Sequence, residues 1–218
     1  MQSTDAIRVA IVDDQALFRA GIRMLLDSQS DLVVVGEAGD GIEAVELVAQ
    51  TAPDVVLMDL RMPRMDGIEA TARIVAGESS ARIVVLTTFD LDEAAARAIR
   101  AGASGFLLKD AEPDFLLAAI RTVHAGSAVI APGATAALFE HLSPAPAAPA
   151  APPAFGTLTE RERQIFALAA RGMSNAEIAA HEFVSEATVK THLSRVLAKL
   201  ALRDRVQLVV YAYEHGIV

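Results

Sequence analysis

The chain has no cysteine. That excludes disulfides, thiolate metal sites and cysteine nucleophiles, and it fits a reducing compartment. It has no basic excess either: 19 Lys and Arg stand against 28 Asp and Glu, a formal charge of −9. Taken whole, that balance argues against nucleic-acid binding. The first residues, Met1-Gln2-Ser3-Thr4-Asp5, lack the positive region and apolar core of a signal peptide. The longest stretches free of Asp, Glu, Lys and Arg, Thr122–Phe139 and His141–Thr159, are broken by Pro, Gly and hydroxyl residues, so neither reads as a membrane span. A soluble intracellular protein is expected. The five histidines have no ligand spacing, and no His metal site is expected.

What is present is apolar. With 53% hydrophobic and 22% charged residues in 218, the chain can bury one large core or two modest ones. The charge is also uneven. Residues 1–143 hold 11 Lys/Arg and 21 Asp/Glu, a balance of −10. Residues 155–218 hold 8 and 7, a balance of +1, and the stretch between is uncharged. The C-terminal third, read alone, leaves the nucleic-acid question open.

The first 126 residues alternate strand and helix patterns. Apolar runs at Ile7–Val12, Leu32–Val35, Val55–Met58, Ile83–Leu86 and Phe106–Leu108 read as strands. Helices are expected over Gln15–Asp27, Asp40–Gln50, Asp66 to about Ala76, Leu91–Ala101 and Pro113–His124, with Asp40 as a cap and Pro113 in a first turn. Five such units in alternation predict an α/β fold, a parallel sheet with helices on both faces. A short helix is expected over Ala131–Leu142. Ser143–Ala154 then packs five Pro and six Ala into twelve residues, a semi-extended linker reaching roughly 37 Å at about 3.1 Å per residue. Beyond it only helical patterns occur. Thr159 opens a capping box into Glu160–Arg171, Ser174 caps Asn175–His181, Ser185 caps Glu186–Leu200, and a last helix runs from about Asp204 to Glu214. Four helices with a short Glu182–Val184 turn fit a helix-turn-helix unit. The expected domains are 1–126, a linker over 127–154, and 155–218.

The stretch Asp54-Val55-Val56-Leu57-Met58-Asp59 centres the first domain. It reads as a strand buried on both faces that nevertheless delivers a carboxylate at its carboxyl end, the edge where open parallel sheets bind ligands. Other strands end in Asp13-Asp14, Thr87 and Lys109. Three carboxylates converging in a small space repel one another unless a hard dication sits among them, so Asp13, Asp14 and Asp59 suggest a Mg²⁺ site. Lys109 adds a point charge and Thr87 a hydroxyl donor. Around an Asp carboxylate, such a set can stabilise a phosphoryl group in transfer.

Val12-Asp13-Asp14, Leu57-Met58-Asp59-Leu60-Arg61-Met62-Pro63, Asp66-Gly67, Leu86-Thr87-Thr88 and Gly102-Ala103-Ser104-Gly105-Phe106-Leu107-Leu108-Lys109 resemble, in order, the receiver domain of two-component response regulators. The resemblance spans residues 5–126. It implies a flavodoxin-like, doubly wound, five-stranded fold, phosphorylation of Asp59 by a sensor histidine kinase, and Mg²⁺ held by Asp14 and Asp59 with help from Asp13 and the Arg61 carbonyl. It also implies a switch in which Thr87 moves toward the phosphoryl group and the aromatic at Phe106 turns inward behind it. Phe106 lacks the hydroxyl of the Tyr more familiar at that position.

In the helix over Glu186–Leu200, Leu193, Val196 and Leu200 fall within about 40° of Val189 at roughly 100° per residue, which makes that side the buried stripe. The opposite side carries Ala187, Thr191, Ser194, Arg195 and Ala198, flanked by Lys190, Thr188 and Lys199. Small, hydroxyl and basic side chains suit close approach to a major groove. Leu158-Thr159-Glu160-Arg161-Glu162, Gly172 to Ala179 and Val184 to His192 resemble the LuxR/NarL-type helix-turn-helix. The resemblance puts Lys190, Thr191, Ser194 and Arg195 at base edges or phosphates and Thr188 on the DNA backbone. Ala201 stands where that family usually has Gly. Val206, Val209, Val210 and Tyr213 of the last helix either form a dimer contact or cover the domain's own core.

The combined expectation is a response regulator transcription factor with Mg²⁺ as cofactor, a sensor histidine kinase and double-stranded promoter DNA as partners, and a homodimer when phosphorylated. No membrane partner is expected, and no enzyme activity beyond turnover of its own phosphoryl group. A phosphohydrolase using Asp59 is disfavoured because Arg61 sits where such enzymes commonly place an acid. A phosphorylation-independent DNA-binding regulator is disfavoured by the intact acidic set and Lys109.

Overall fold

The computed structural model describes residues 6–77, 79–88, 93–126, 129–130 and 152–217. The chain divides into two units, residues 1–138 and 139–218. Among the described residues, no helix is long and apolar enough to cross a membrane.

The first unit runs β1 (Ile7–Val12), α1 (Ala16–Asp27), β2 (Leu32–Ala38), α2 (Gly41–Thr51), β3 (Val55–Asp59), α3 (Gly67–Ala76), β4 (Arg82–Thr87), α4 (Glu93–Arg100), β5 (Gly105–Leu108), α5 (Pro113–His124) and a two-residue β6 (Val129–Ile130). The strand order is β2-β1-β3-β4-β5-β6, and every pair is parallel. The winding reverses between β1 and β3, the switch point at which doubly wound sheets open a crevice at their carboxyl edge. The five expected strands are all present. β6 adds a sixth at the edge, inside the stretch read as linker. The rest of that linker up to residue 151, including the helix expected over Ala131–Leu142, lies outside the described residues. So does Leu91, at the start of the helix expected over Leu91–Ala101.

Side-chain alternation along the strands builds two cores. Ile7, Val9, Ile11, Val55, Leu57, Val84, Leu86 and Leu107 meet Ile22 and Leu26 of α1 and Leu116, Leu117, Ile120 and Val123 of α5. The alternate set, Ala10, Val12, Val56, Met58, Ile83, Val85 and Phe106, is equally buried and faces the other way. β2 extends three residues beyond the apolar run that announced it. Its added Glu37 is held by Arg19 and Arg23 of α1 at 3.1 and 2.5 Å, a tertiary contact that hydropathy does not record.

The second unit holds a short 3₁₀ turn (Pro153–Thr157) and four helices: α6 (Glu160–Ala170), α7 (Asn175–Glu182), α8 (Glu186–Lys199) and α9 (Arg205–Glu214). The helix starts are explicit. Thr159 and Ser174 form reciprocal capping boxes with Glu162 and Glu177, Ser185 accepts from Thr188 N–H, and Asp204 accepts from Gln207 N–H. Each satisfies donors that a helix start leaves open. Ile165, Phe166, Ile178, Val189, Leu193, Val196 and Leu208 form the core.

Candidate functional site

Register brings the acidic residues together. β1 pairs with β3 through Val12 and Met58, so Asp13 emerges beside Asp59. Both share the sheet face of Ile11 and Leu57, the α1/α5 face. Lys109, two residues past Leu107, leaves β5 on that face too. Its Nζ donates to Asp59 Oδ2 at 2.8 Å and lies 2.6 Å from Asp13 Oδ2, an ion pair without hydrogen-bond alignment. The three side chains are nearly sealed, at 1% exposure for Asp13, 6% for Asp59 and 7% for Lys109. Asp14 is exposed. Asp13, Asp14 and Asp59 offer oxygens within 4.8 Å of one another.

The electrostatics follow from that burial. Desolvation pushes the Asp59 carboxyl above its ordinary 3.8, the Lys109 ammonium pulls it back, the Asp13 charge adds to the rise, and the Arg61 N–H opposes it. Lys109 is held above its ordinary 10.5: burial alone would lower it, and the close contacts of its ammonium with the Asp13 and Asp59 carboxylates more than reverse that. Three carboxylates against one buried ammonium leave a formal charge of −2 on hard oxygen donors. That set fits a divalent cation such as Mg²⁺.

The loop after β3 is fixed from both ends. Arg61 N–H reaches Asp59 Oδ1 at 3.4 Å, and Gly67 N–H donates to Leu60 O at 3.0 Å. A Cβ on Gly67 would sit 2.0 Å from the Asp59 carbonyl oxygen, so only glycine allows α3 to start this close to the site. Further along, Arg64, at φ 64°, pairs with Asp40 and Glu43 at the start of α2. Beside this loop lies a cleft of about 390 Å³ lined by Arg61, Met62, Asp66, Thr87, Ala94 and Arg97. Thr87 is buried and belongs to the sheet face opposite the carboxylates. Phe106 shares that face and is already inward, at 1% exposure. With no hydroxyl to keep at the surface, the ring packs as core.

In the second unit, α8 buries Val189, Leu193 and Val196, the stripe that periodicity predicted. Ala187, Lys190, Thr191, Ser194, Arg195 and Ala198 are exposed, and Thr188 is half-buried. Lys199, expected on the flank of that face, is exposed and turns its ammonium toward α6. Its ammonium donates to Glu162 Oε2 at 2.6 Å and to Thr157 O at 3.2 Å, which ties α8 to the start of α6. Val206, Val209 and Val210 of α9 are buried, and Tyr213 is half-buried. Periodicity also gave no sign of the Arg161–Glu182 pair or of Arg205, which donates to Asn175 Oδ1 and to the carbonyls of Ala169 and Met173.

A parallel sheet that gathers carboxylates and a lysine at one edge, in one chain with a helix-turn-helix, defines a regulator with a receiver and a DNA-binding domain. Residues 9–121 match the response regulator receiver domain, and residues 156–212 match the bacterial regulatory proteins of the luxR family. The chain belongs to the response regulators with a LuxR-type DNA-binding domain, which are transcription regulators. It is 44% identical to the uncharacterised transcriptional regulatory protein YxjL of Bacillus subtilis, over 98% of both chains. To the response regulator protein VraR of Staphylococcus aureus it is 37% identical, over 97% of this chain and 99% of that one. Among solved structures it is similar to the response regulator ChrA of a heme-sensing two-component system, with TM-score 0.54 and 34% identity over 98% of this chain and 99% of that chain. It shares its fold with the RcsB response regulator in complex with DNA, with TM-score 0.57 and 23% identity over 95% and 98%.

Proposed function

We propose that Asp59 is the phosphoryl acceptor of this regulator and that its phosphorylation by a sensor histidine kinase controls DNA binding. The observation that carries this is the sealed Asp13–Lys109–Asp59 cluster. A carboxylate oxygen of Asp59 bonds to phosphorus as the bond from phosphorus to the donor's leaving atom breaks. Lys109 exchanges a carboxylate contact for a phosphoryl oxygen, and Thr87 supplies a hydroxyl from the cleft side. Asp13, Asp14, Asp59 and the Arg61 carbonyl would hold Mg²⁺, which when bound neutralises charge on the phosphoryl oxygens. Thr87 and α4 then shift against the packed Phe106. That arrangement favours a homodimer whose two α8 helices meet successive major grooves of promoter DNA. Thr188, Lys190, Thr191, Ser194 and Arg195 form the DNA face. Lys199 supports that face through Glu162 rather than touching DNA. Promoter binding gives the protein a cytoplasmic working place.

The direct test is intact-mass measurement after incubation with acetyl phosphate and Mg²⁺. One phosphoryl group is expected on the wild type and none on Asp59→Asn. An unmodified wild type, or equal modification of the variant, would contradict the assignment.

A further inference from the structure

The aromatic side chain beside Lys109 has no role in the chemistry described so far. Lys109 Nζ lies 4.8 Å from the centroid of the Phe18 ring, within the range in which a ring face attracts an ammonium. The placement follows from the fold. Leu107 packs into the core between α1 and α5, and Phe18 of α1 is half-buried against that same core. Lys109 leaves β5 on the same face, which brings its amine within reach of Phe18 of α1 and of the Asp13 and Asp59 carboxylates. Phe18, Gly21, Ile22, Lys109 and Leu116 are among the residues that line a cavity of about 240 Å³.

We propose that Phe18 is a positioning residue for phosphoryl transfer, holding the Lys109 ammonium at Asp59 through its ring face. This rests on Asp59 being the phosphoryl acceptor. The choice of an aromatic has a physical reason. A carboxylate on that side would neutralise the ammonium and compete with the phosphoryl oxygens. An aliphatic side chain would fill the space and offer the amine nothing. A ring attracts the cation with its quadrupole and leaves its N–H donors free for oxygen. The attraction strengthens where water is excluded, and the Lys109 side chain is only 7% exposed. During transfer, Lys109 must trade a carboxylate oxygen for a phosphoryl oxygen, and the ring keeps it in place through that exchange.

The test uses the full chain with acetyl phosphate and Mg²⁺, following the initial rate of acyl-phosphate formation in wild type, Phe18→Leu, Phe18→Tyr and Asp59→Asn. Phe18→Leu keeps the apolar volume and loses the ring, and should be slower by about three- to tenfold. Phe18→Tyr keeps the ring and should stay close to wild type. Phe18→Met provides the same comparison where Leu disturbs the fold. A second readout is the NMR shift of the Lys109 ε-methylene protons. Ring current should move them upfield in wild type and Phe18→Tyr, and they should return to ordinary values in Phe18→Leu and Phe18→Met. Wild-type rates in Phe18→Leu and Phe18→Met, or equal slowing in Phe18→Tyr, would overturn this inference alone. No phosphoryl uptake by the wild type would overturn the proposed function and this inference with it.

Discussion

Ala201 adopts φ 53°, in the left-handed region where a Cβ crowds the backbone. It follows α8 in a Schellman arrangement: Ala201 N–H donates to Ala198 O and Leu202 N–H to Leu197 O. The helix end is therefore that of a glycine-capped helix with the wrong residue in it. Ala201→Gly should stabilise the DNA-binding unit by about 1 kcal/mol, which raises its melting temperature by about 4–8 °C for a domain of this size. A lower midpoint in thermal scans would refute the strain. A second residue-level effect belongs to Glu162. The Lys199 ammonium, helped by the Thr159 N–H, holds its carboxyl down at about 2 against an ordinary 4.5. A lowered folded-state pKa contributes stability above the unfolded value and loses it as pH falls through the folded one. The unit should thus weaken progressively between pH 4.5 and about 2, and Glu162→Gln should flatten that part of the pH–stability curve. A variant that follows the wild-type curve would show the bridge to be idle. Ala201 was legible as a departure from the family's glycine. The Lys199–Glu162 bridge was not, because helical periodicity places Lys199 on the flank of the helix and says nothing of a carboxylate 37 residues away.

At the scale of elements, what the sequence made plain was what repeats locally. The stripe Val189, Leu193, Val196 fixes which side of α8 is buried, and the caps at Asp40, Ser174 and Ser185 mark helix starts to within a residue. What escaped it depends on neighbours: the extension of β2 is held by two arginines of α1, and β6 is two residues long and exists through its pairing with β5. The exposed side of α8 carries Lys190 and Arg195 with no ion-pair partner among the described residues. If this face meets phosphates, Lys190→Ala should weaken binding to all DNA sequences alike and reduce the slope of log affinity against log salt by about 1. Fluorescence anisotropy across a salt series reads both quantities. Unchanged affinity and slope would move the interface off this side of the helix.

At the scale of the whole molecule, the receiver's acidic edge and the helix α8 belong to separate units of one chain. Within the receiver, alternation puts Asp13, Asp59 and Lys109 on one sheet face and Thr87 and Phe106 on the other. In the proposed switch, a phosphoryl group on Asp59 would be met by Lys109 from one face and by Thr87 from the other. The order of strand-end residues made the acidic site legible in the sequence. The ring beneath Lys109 was not, since it depends on which face of the sheet α1 covers. The central claim is that occupancy of Asp59 sets DNA binding. Genome-wide DNA capture with wild type and Asp59→Asn at equal protein levels tests it most directly. The account expects sites that the wild type occupies under phosphorylating conditions and the variant does not; identical binding maps would contradict it.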